Sequence, residues 1–275
     1  MNLSGVWGVL SLTFKESIRA KWLILFTIVF FLLAIDIPDL VELQGHILPA
    51  NYLENFLTVL VGFSLPIIPL LALPMSSTSI VDEKESGTLQ YILSNPISKT
   101  EFFLGRTAGL LISTSLAVII GFGAAAVVSY TTNLSAYSGM GVLILFSVML
   151  NISMLALGFI ISDLSKRKVT ALVVALFTWL LFTALSNVTN LAIILNLEFG
   201  ELAAVSLVLI DPIELAIILT TILLGEPDTA WSSLGLIAYD YFQKNTVLAL
   251  SAAFVAWIAI AFAIGFIIFK RQDLS

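Results

Sequence analysis

Apolar residues gather into six long runs, Trp22–Leu40, Phe56–Ser77, Ala108–Tyr130, Val142–Ile161, Val169–Leu195 and Val247–Phe269, with polar residues massed between them. About 20 mostly apolar residues carry a helix across a bilayer, so each run is long enough to span. Two shorter runs, Leu202–Ile210 and Ile213–Leu224, are split by Asp211-Pro212. Each is too short to cross alone, and they read as re-entrant or interfacial helices before the last span. Near the N-terminus Leu3, Trp7, Leu10, Phe14 and Ile18 recur at steps of three and four. That spacing makes one face of a helix lying in the membrane interface, Trp7 at headgroup level; the plainer alternative is a polar lead-in to the first span.

Composition agrees with the pattern. The chain has 275 residues, 59% hydrophobic and 11% charged, with mean hydropathy +1.08. Soluble domains carry about 25% charged residues, so water is the wrong solvent for this surface. Charge then sets direction. Every Lys and Arg except Lys244 falls before the first run, between the second and third, between the fourth and fifth, or after the sixth. The positive-inside rule places those segments, and both termini, in the cytoplasm. The acids Asp36, Asp39, Glu42, Glu54, Glu198, Glu201, Asp211, Glu214, Glu226, Asp228 and Asp240 fall on the other side. No cleavable signal is evident, since the first run starts after a polar stretch and no small-residue cleavage site follows it. The chain reads as an all-α membrane protein of one transmembrane domain over 1–275. Within it lie an interfacial helix at 1–20, a cytoplasmic loop at 82–106 and an outer connection at 196–245.

The loop holds the most suggestive local pattern. A helix from Phe56 to Asp82 is roughly 40 Å long, more than a core of roughly 30 Å, so it tilts or projects. Gly87 then permits a sharp turn. Leu89, Ile92 and Leu93 follow at helical spacing, and Asn95-Pro96 ends the short helix, because the residue before proline leaves the helical region. Ser98 and Glu101 form a capping box, with Ile97 and Phe102 placed as a hydrophobic staple, so a new helix starts at Lys99. The apolar face of the short helix has no membrane to hide in and is expected to dock on a soluble partner; the alternative is that its leucines tuck against the bundle.

Other chemistry is scarce. With no cysteine and one histidine, His46, there is no thiolate or serine–histidine–acid arrangement. His46 lies near Asp39 and Glu42 without a second histidine, so no metal site is assigned. Met75, Met140, Met149 and Met154 lack a paired spacing and read as packing. Net charge is −6 and no basic tract exists to bind nucleic acid. Pro66, Pro69 and Pro74 in the second span, with Asn151, Trp179 and Thr183, mark a candidate pathway or dimer seam, although Asn and Thr in spans are more often interhelical glue. The near absence of charge within the spans argues against an ion-driven secondary carrier.

The loop resembles the signature region of ABC type-2 transporter permeases. The residues concerned are Glu83 and Glu85, Gly87-Thr88-Leu89, Leu93, Pro96, Ser98-Lys99 and Gly105-Arg106. Within that family, the length and Asp211-Pro212-Ile213-Glu214 look most like permeases of nitrous-oxide-reductase maturation transporters, where Asn-Pro usually stands in place of Asp211-Pro212. The resemblance implies that Glu83, Glu85, Gly87, Thr88, Leu89, Ile92, Leu93, Asn95 and Pro96 belong to a coupling helix and its flanks, seated on a separate ATPase. It implies an elbow helix at the N-terminus and a plasma-membrane complex of two permeases and two ATPases, with ATP and magnesium held by the ATPase. The chain has no Gly-x-x-x-x-Gly-Lys-Ser/Thr phosphate loop, so it carries no cofactor and no ATPase motif of its own. A non-transporting membrane scaffold is the runner-up.

Overall fold

A computed structural model describes residues 3–19, 21, 23–32, 52–94, 97–131, 139–194, 200–224 and 233–272. The helices are α1 Leu3–Arg19, α2 Leu23–Leu32, α3 Tyr52–Ser79, α4 Val81–Glu85, α5 Thr88–Ser94 and α6 Lys99–Thr131. They continue as α7 Met140–Leu164, α8 Lys168–Ile194, α9 Glu201–Ile210, α10 Pro212–Leu224, α11 Ser233–Phe242 and α12 Thr246–Arg271. No strand occurs among the described residues. Five helical stretches are long and apolar enough to cross a membrane, and α9 with α10 makes a sixth if their 100° bend is one broken span. The described part of the expected first span is α2; its remainder, like His46, Asn95 and Pro96, lies outside the described residues.

Small residues decide how closely the helices approach. On α6, Gly105 and Gly109 stand one turn apart, and Ser113 one turn further. The facing ridge of α1 is Val9, Thr13 and Ser17, all buried. A Cβ on Gly105 would sit 2.7 Å from the Val6 carbonyl oxygen, and one on Gly109 2.6 Å from Thr13 Cβ. The hydroxyls of Ser113 and Ser17 meet at 3.3 Å. This is the small-xxx-small packing of membrane helices, in which missing side chains let backbones touch. The same device joins α3 to α7, where a Cβ on Gly158 would lie 3.0 Å from the Leu73 carbonyl oxygen and overlap Ser76 Oγ.

The N-terminal helix therefore has two faces. Leu3 (76% exposed), Trp7 (69%) and Ile18 (43%) point away from the protein, as an interfacial helix requires. The opposite, small-residue face holds it to α6.

Of the two alternatives for the short helices before the last span, the 100° bend between α9 and α10 suits the re-entrant one and not the interfacial one. α10 is no surface helix: Ile213, Leu215, Ala216, Ile218 and Leu219 are all buried, and it packs against α3, α7 and α12. Asp211 and Glu214, expected in a solvated connection, are buried with it. Asp211 Oδ1 accepts from the Ile213 amide at 2.9 Å, capping the first turn of α10, and Ser186 Oγ donates to Glu214. A helix N-terminus provides free amides that draw a carboxylate inward. An unexpected helix, α11, packs on α9, with its Leu234 amide donating to Asn190 Oδ1 at 3.2 Å.

Candidate functional site

The site is the end of the bundle where α4 and α5 connect α3 to α6. Successive helical side chains step by about 100° around the axis, so four in a row point in four directions. In α4 those four are Asp82, Glu83, Lys84 and Glu85. Asp82 meets Lys168 Nζ of α8 at 2.8 Å. Glu83 meets Arg106 of α6 at 3.1 Å. Lys84 Nζ donates to the Asp163 carbonyl oxygen of α7 at 3.2 Å, with the carboxylate at 3.5 Å. Glu85 Oε2 accepts from the Lys168 amide at 2.7 Å, at the first turn of α8. Ser162 of α7 closes the other end, its hydroxyl accepting from the Ile80 and Val81 amides at 3.1 and 2.9 Å. One five-residue helix thus holds the ends of three spans.

The ties differ in weight. The side chains of Arg106 and Glu83 are 11% and 12% exposed, and those of Lys84 and Asp163 18% and 0%. Removing one member of a shielded pair strands its partner's charge, at about 3–5 kcal/mol. Asp82 and Lys168 are 54% and 45% exposed, in the range where an ion pair contributes about 0–1 kcal/mol.

Arg106 extends the network. It also donates to the Ser79 carbonyl oxygen at 3.1 Å, to Thr13 Oγ1 at 3.3 Å and to the Glu16 carboxylate, so α1, α3 and α4 share one guanidinium. At the far end of the chain Gln272 donates to the Asp163 carbonyl oxygen and accepts from Lys99 Nζ at 2.6 Å, bringing in α12.

The turn between α4 and α5 is built on Gly87, whose φ of +74° lies in the left-handed region. A Cβ there would meet nothing, so the demand is on the backbone alone. The capping box forms as expected: the Ser98 amide donates to Glu101 Oε2 at 3.0 Å, and the Glu101 amide to Ser98 Oγ at 3.3 Å.

The orientation of α5 corrects the expectation of an outward apolar face. Leu89 is 2% exposed and belongs to the hydrophobic core, and Ile92 packs against that core. The bundle end offers an apolar wall, which is a better environment for leucine than water. The outward residues are Thr88, Gln90, Tyr91 and Ser94, with Tyr91 74% exposed. Glu83, expected in a solvated loop, is instead shielded by Arg106.

The proposed pathway residues fall into two groups. Trp179 Nε1 donates to the Pro66 carbonyl oxygen at 2.8 Å, tying α8 to α3. Asn151, fully buried, donates to Thr114 Oγ1 at 2.8 Å and ties α7 to α6. Both bonds are interhelical glue. Pro69 is buried within α3 and Pro74 partly so; below them Thr78 Oγ1 returns a bond to the Pro74 carbonyl oxygen at 2.8 Å. Thr183 Oγ1 is buried without a partner among the described residues, while the Thr183 carbonyl oxygen accepts from Asn187 at 2.6 Å.

Arg106, Lys84, Asp163 and Lys168 are the residues of this charged hub that sequence reading did not bring together. Their separations along the chain exceed any local pattern; only the Gly105-x-x-x-Gly109 spacing beside Arg106 was there to be read.

A bundle of long apolar helices whose ends are gathered by one short charged helix is the architecture of a multi-pass membrane protein. The match to known families agrees: residues 7–274 fit the ABC-2 family transporter protein, and the chain belongs to that family. It is a transmembrane permease subunit of an ABC transporter, a class that works with a separate ATPase and in bacteria sits in the plasma membrane. The chain is 26% identical to the probable ABC transporter permease protein NosY of Stutzerimonas stutzeri, over 98% of this chain and 99% of that protein. It is 27% identical, over the same shares, to the protein of the same name from Pseudomonas aeruginosa.

Proposed function

We propose that this permease works as two copies with two ATPase subunits, and that α4 and α5 transmit ATP-driven movement from each ATPase to the spans. The observation that carries this reading is the fourfold attachment of α4. A push on α5 passes through the tight Ser86-Gly87 turn into α4 and reaches α6, α7 and α8 through Glu83, Lys84 and Glu85. Positive-inside charge supports placing this end in the cytoplasm, where ATP and magnesium are available to the partner.

The outward face of α5 is the docking surface in this reading. Tyr91, an exposed tyrosine on an anchored helix, has the character of an interface hot spot. Leu89 and Ile92 hold the helix down and do not touch the ATPase.

Family membership now replaces scarcity of intramembrane charge as the ground for setting aside an ion-driven carrier, since Asp211 and Glu214 are buried. The test is co-purification with a soluble phosphate-loop ATPase, sought first in the reading frames beside this chain. Tyr91→Ala with Gln90→Ala is expected to weaken capture by about tenfold or more, with melting of the permease unchanged. Undiminished capture refutes the docking surface.

A further inference from the structure

A cavity of about 360 Å³ opens between α1, α3, α6 and α8 beside Arg106. Its polar lining includes Arg106, Lys168, Glu16 and Asp82. Its apolar lining is Pro74, Met75, Leu110 and Leu172. On α8, one position on from the lining residues Lys168 and Leu172, Val169, Val173 and Phe177 form an exposed stripe, and α1 turns Leu3 and Trp7 away from the protein. Charged groups, hydroxyls and an apolar exit meet at the depth where an interfacial helix lies, which is the depth of lipid headgroups.

We infer that this cavity binds the headgroup of a phosphatidylethanolamine-type lipid, its acyl chains lying along α8. The charges select the class. At the cavity wall Lys168 is paired with Asp82 at 2.8 Å, and Arg106 with Glu16 and with Glu83. An anionic headgroup would enter a region whose cations are already matched and would bring no cation of its own to the Glu16 and Asp82 carboxylates. A zwitterion carries its own balance. Its phosphate meets Lys168 and the Arg106 guanidinium, both of which line the cavity. Its ammonium donates to Glu16 and Asp82, both about half exposed and able to accept more bonds. A choline headgroup fits less well. Its quaternary nitrogen has no N–H to donate, and no aromatic ring is among the described lining residues to hold it by cation–π contact. The inference needs α1 to lie at a bilayer surface; it does not depend on which side that surface faces or on where the ATPase docks.

Native mass spectrometry of the full-length chain in detergent, titrated with dioleoyl phosphatidylethanolamine, phosphatidylglycerol or phosphatidylcholine, or with inorganic phosphate, tests it. Phosphatidylethanolamine is expected to bind roughly tenfold more tightly than the other two lipids, the scale of one charge-assisted hydrogen bond gained. Inorganic phosphate is expected not to compete. Leu172→Trp, which narrows the cavity on its apolar side and leaves its charges in place, is expected to abolish that preference. Leu180→Trp, further along the exposed face of α8, is expected to retain it. Equal binding of the three lipids, displacement by phosphate, or full binding by Leu172→Trp overturns the inference. If Leu172→Trp does not fold, the lipid series on the unmodified protein decides alone. The chain has no cysteine, so Leu172→Cys gives a clean control: a disulfide-linked dimer formed in membranes would mean that a second copy fills the cavity, and also overturns it.

Discussion

The helices α1 and α5 stand at the same end of the bundle and dispose of their apolar side chains in opposite ways. α1 shows Leu3, Trp7 and Ile18 to the outside and packs through Val9, Thr13 and Ser17. α5 buries Leu89 and shows Gln90 and Tyr91. Each has a helical apolar stripe, and the stripe itself does not say what it meets. The neighbours decide. α6 offers α1 two glycines, a surface that small residues fit and large ones do not, so the large side chains are left for lipid. The bundle end offers α5 an apolar wall, so the leucine goes in and the polar face is left for water or a soluble protein.

The sharpest way to break this contrast is Leu89→Asp. If Leu89 is an anchor, the change buries a charge with no partner and destabilises the permease by about 3–5 kcal/mol, seen as a large drop in melting temperature in detergent. A contact-only role would leave melting alone and lower ATPase capture. Next comes Gly109→Leu. A side chain there meets Thr13 Cβ at 2.6 Å from its first carbon, and prising α1 from α6 is expected to cost about 1–3 kcal/mol. Thermal melting checks the size, and Gly8→Leu, where a Cβ meets nothing within 4 Å, is the control that should show little change. Glu85→Gln sharpens the α5 side. It keeps an acceptor for the Lys168 amide and removes the charge at the start of α8, so a loss of about 0.3–1 kcal/mol is expected, shrinking in high salt. The smallest effect is expected from Trp7→Ser. The folded bundle should melt within about 0.5 kcal/mol of the parent, while the quenching depth of a probe attached at Leu3→Cys, in a chain with no other cysteine, reports a weaker hold of α1 on the bilayer. A clear loss of stability there would mean that the exposed face of α1 packs on protein.

Much of the scaffold was readable beforehand. The ends of α7, α8 and α12 fall within a few residues of the apolar runs Val142–Ile161, Val169–Leu195 and Val247–Phe269, because a spanning segment must be apolar throughout. The Ser98–Glu101 box and the break at Gly87 were legible because local backbone chemistry alone dictates them. The direction of Leu89 was not, since periodicity defines a face and tertiary neighbours choose its partner. Asp211 and Glu214 misled for a related reason: acids between two short apolar runs look like a watery connection, yet the first turn of α10 and Ser186 supply donors that water would otherwise provide. The Gly105 and Gly109 pair was visible as a spacing, but its partner on α1 is small and polar, which hydrophobic patterning passes over. The charged hub was beyond reach, since Asp82 to Glu85 find partners about 20 to 86 positions away.

The joint at Gly158 has a mechanical corollary. With Ser76 and the Leu73 carbonyl oxygen pressed into the space a side chain would occupy, the second and fourth spans have no clearance to slide past each other. They form a single beam, stiff along its length, and any stroke must open a gap at a looser seam. α8 and the stretch from α11 to α12, each with 22% of its crossing segment covered by protein against 61% and 56% for the two members of the beam, offer the looser seams.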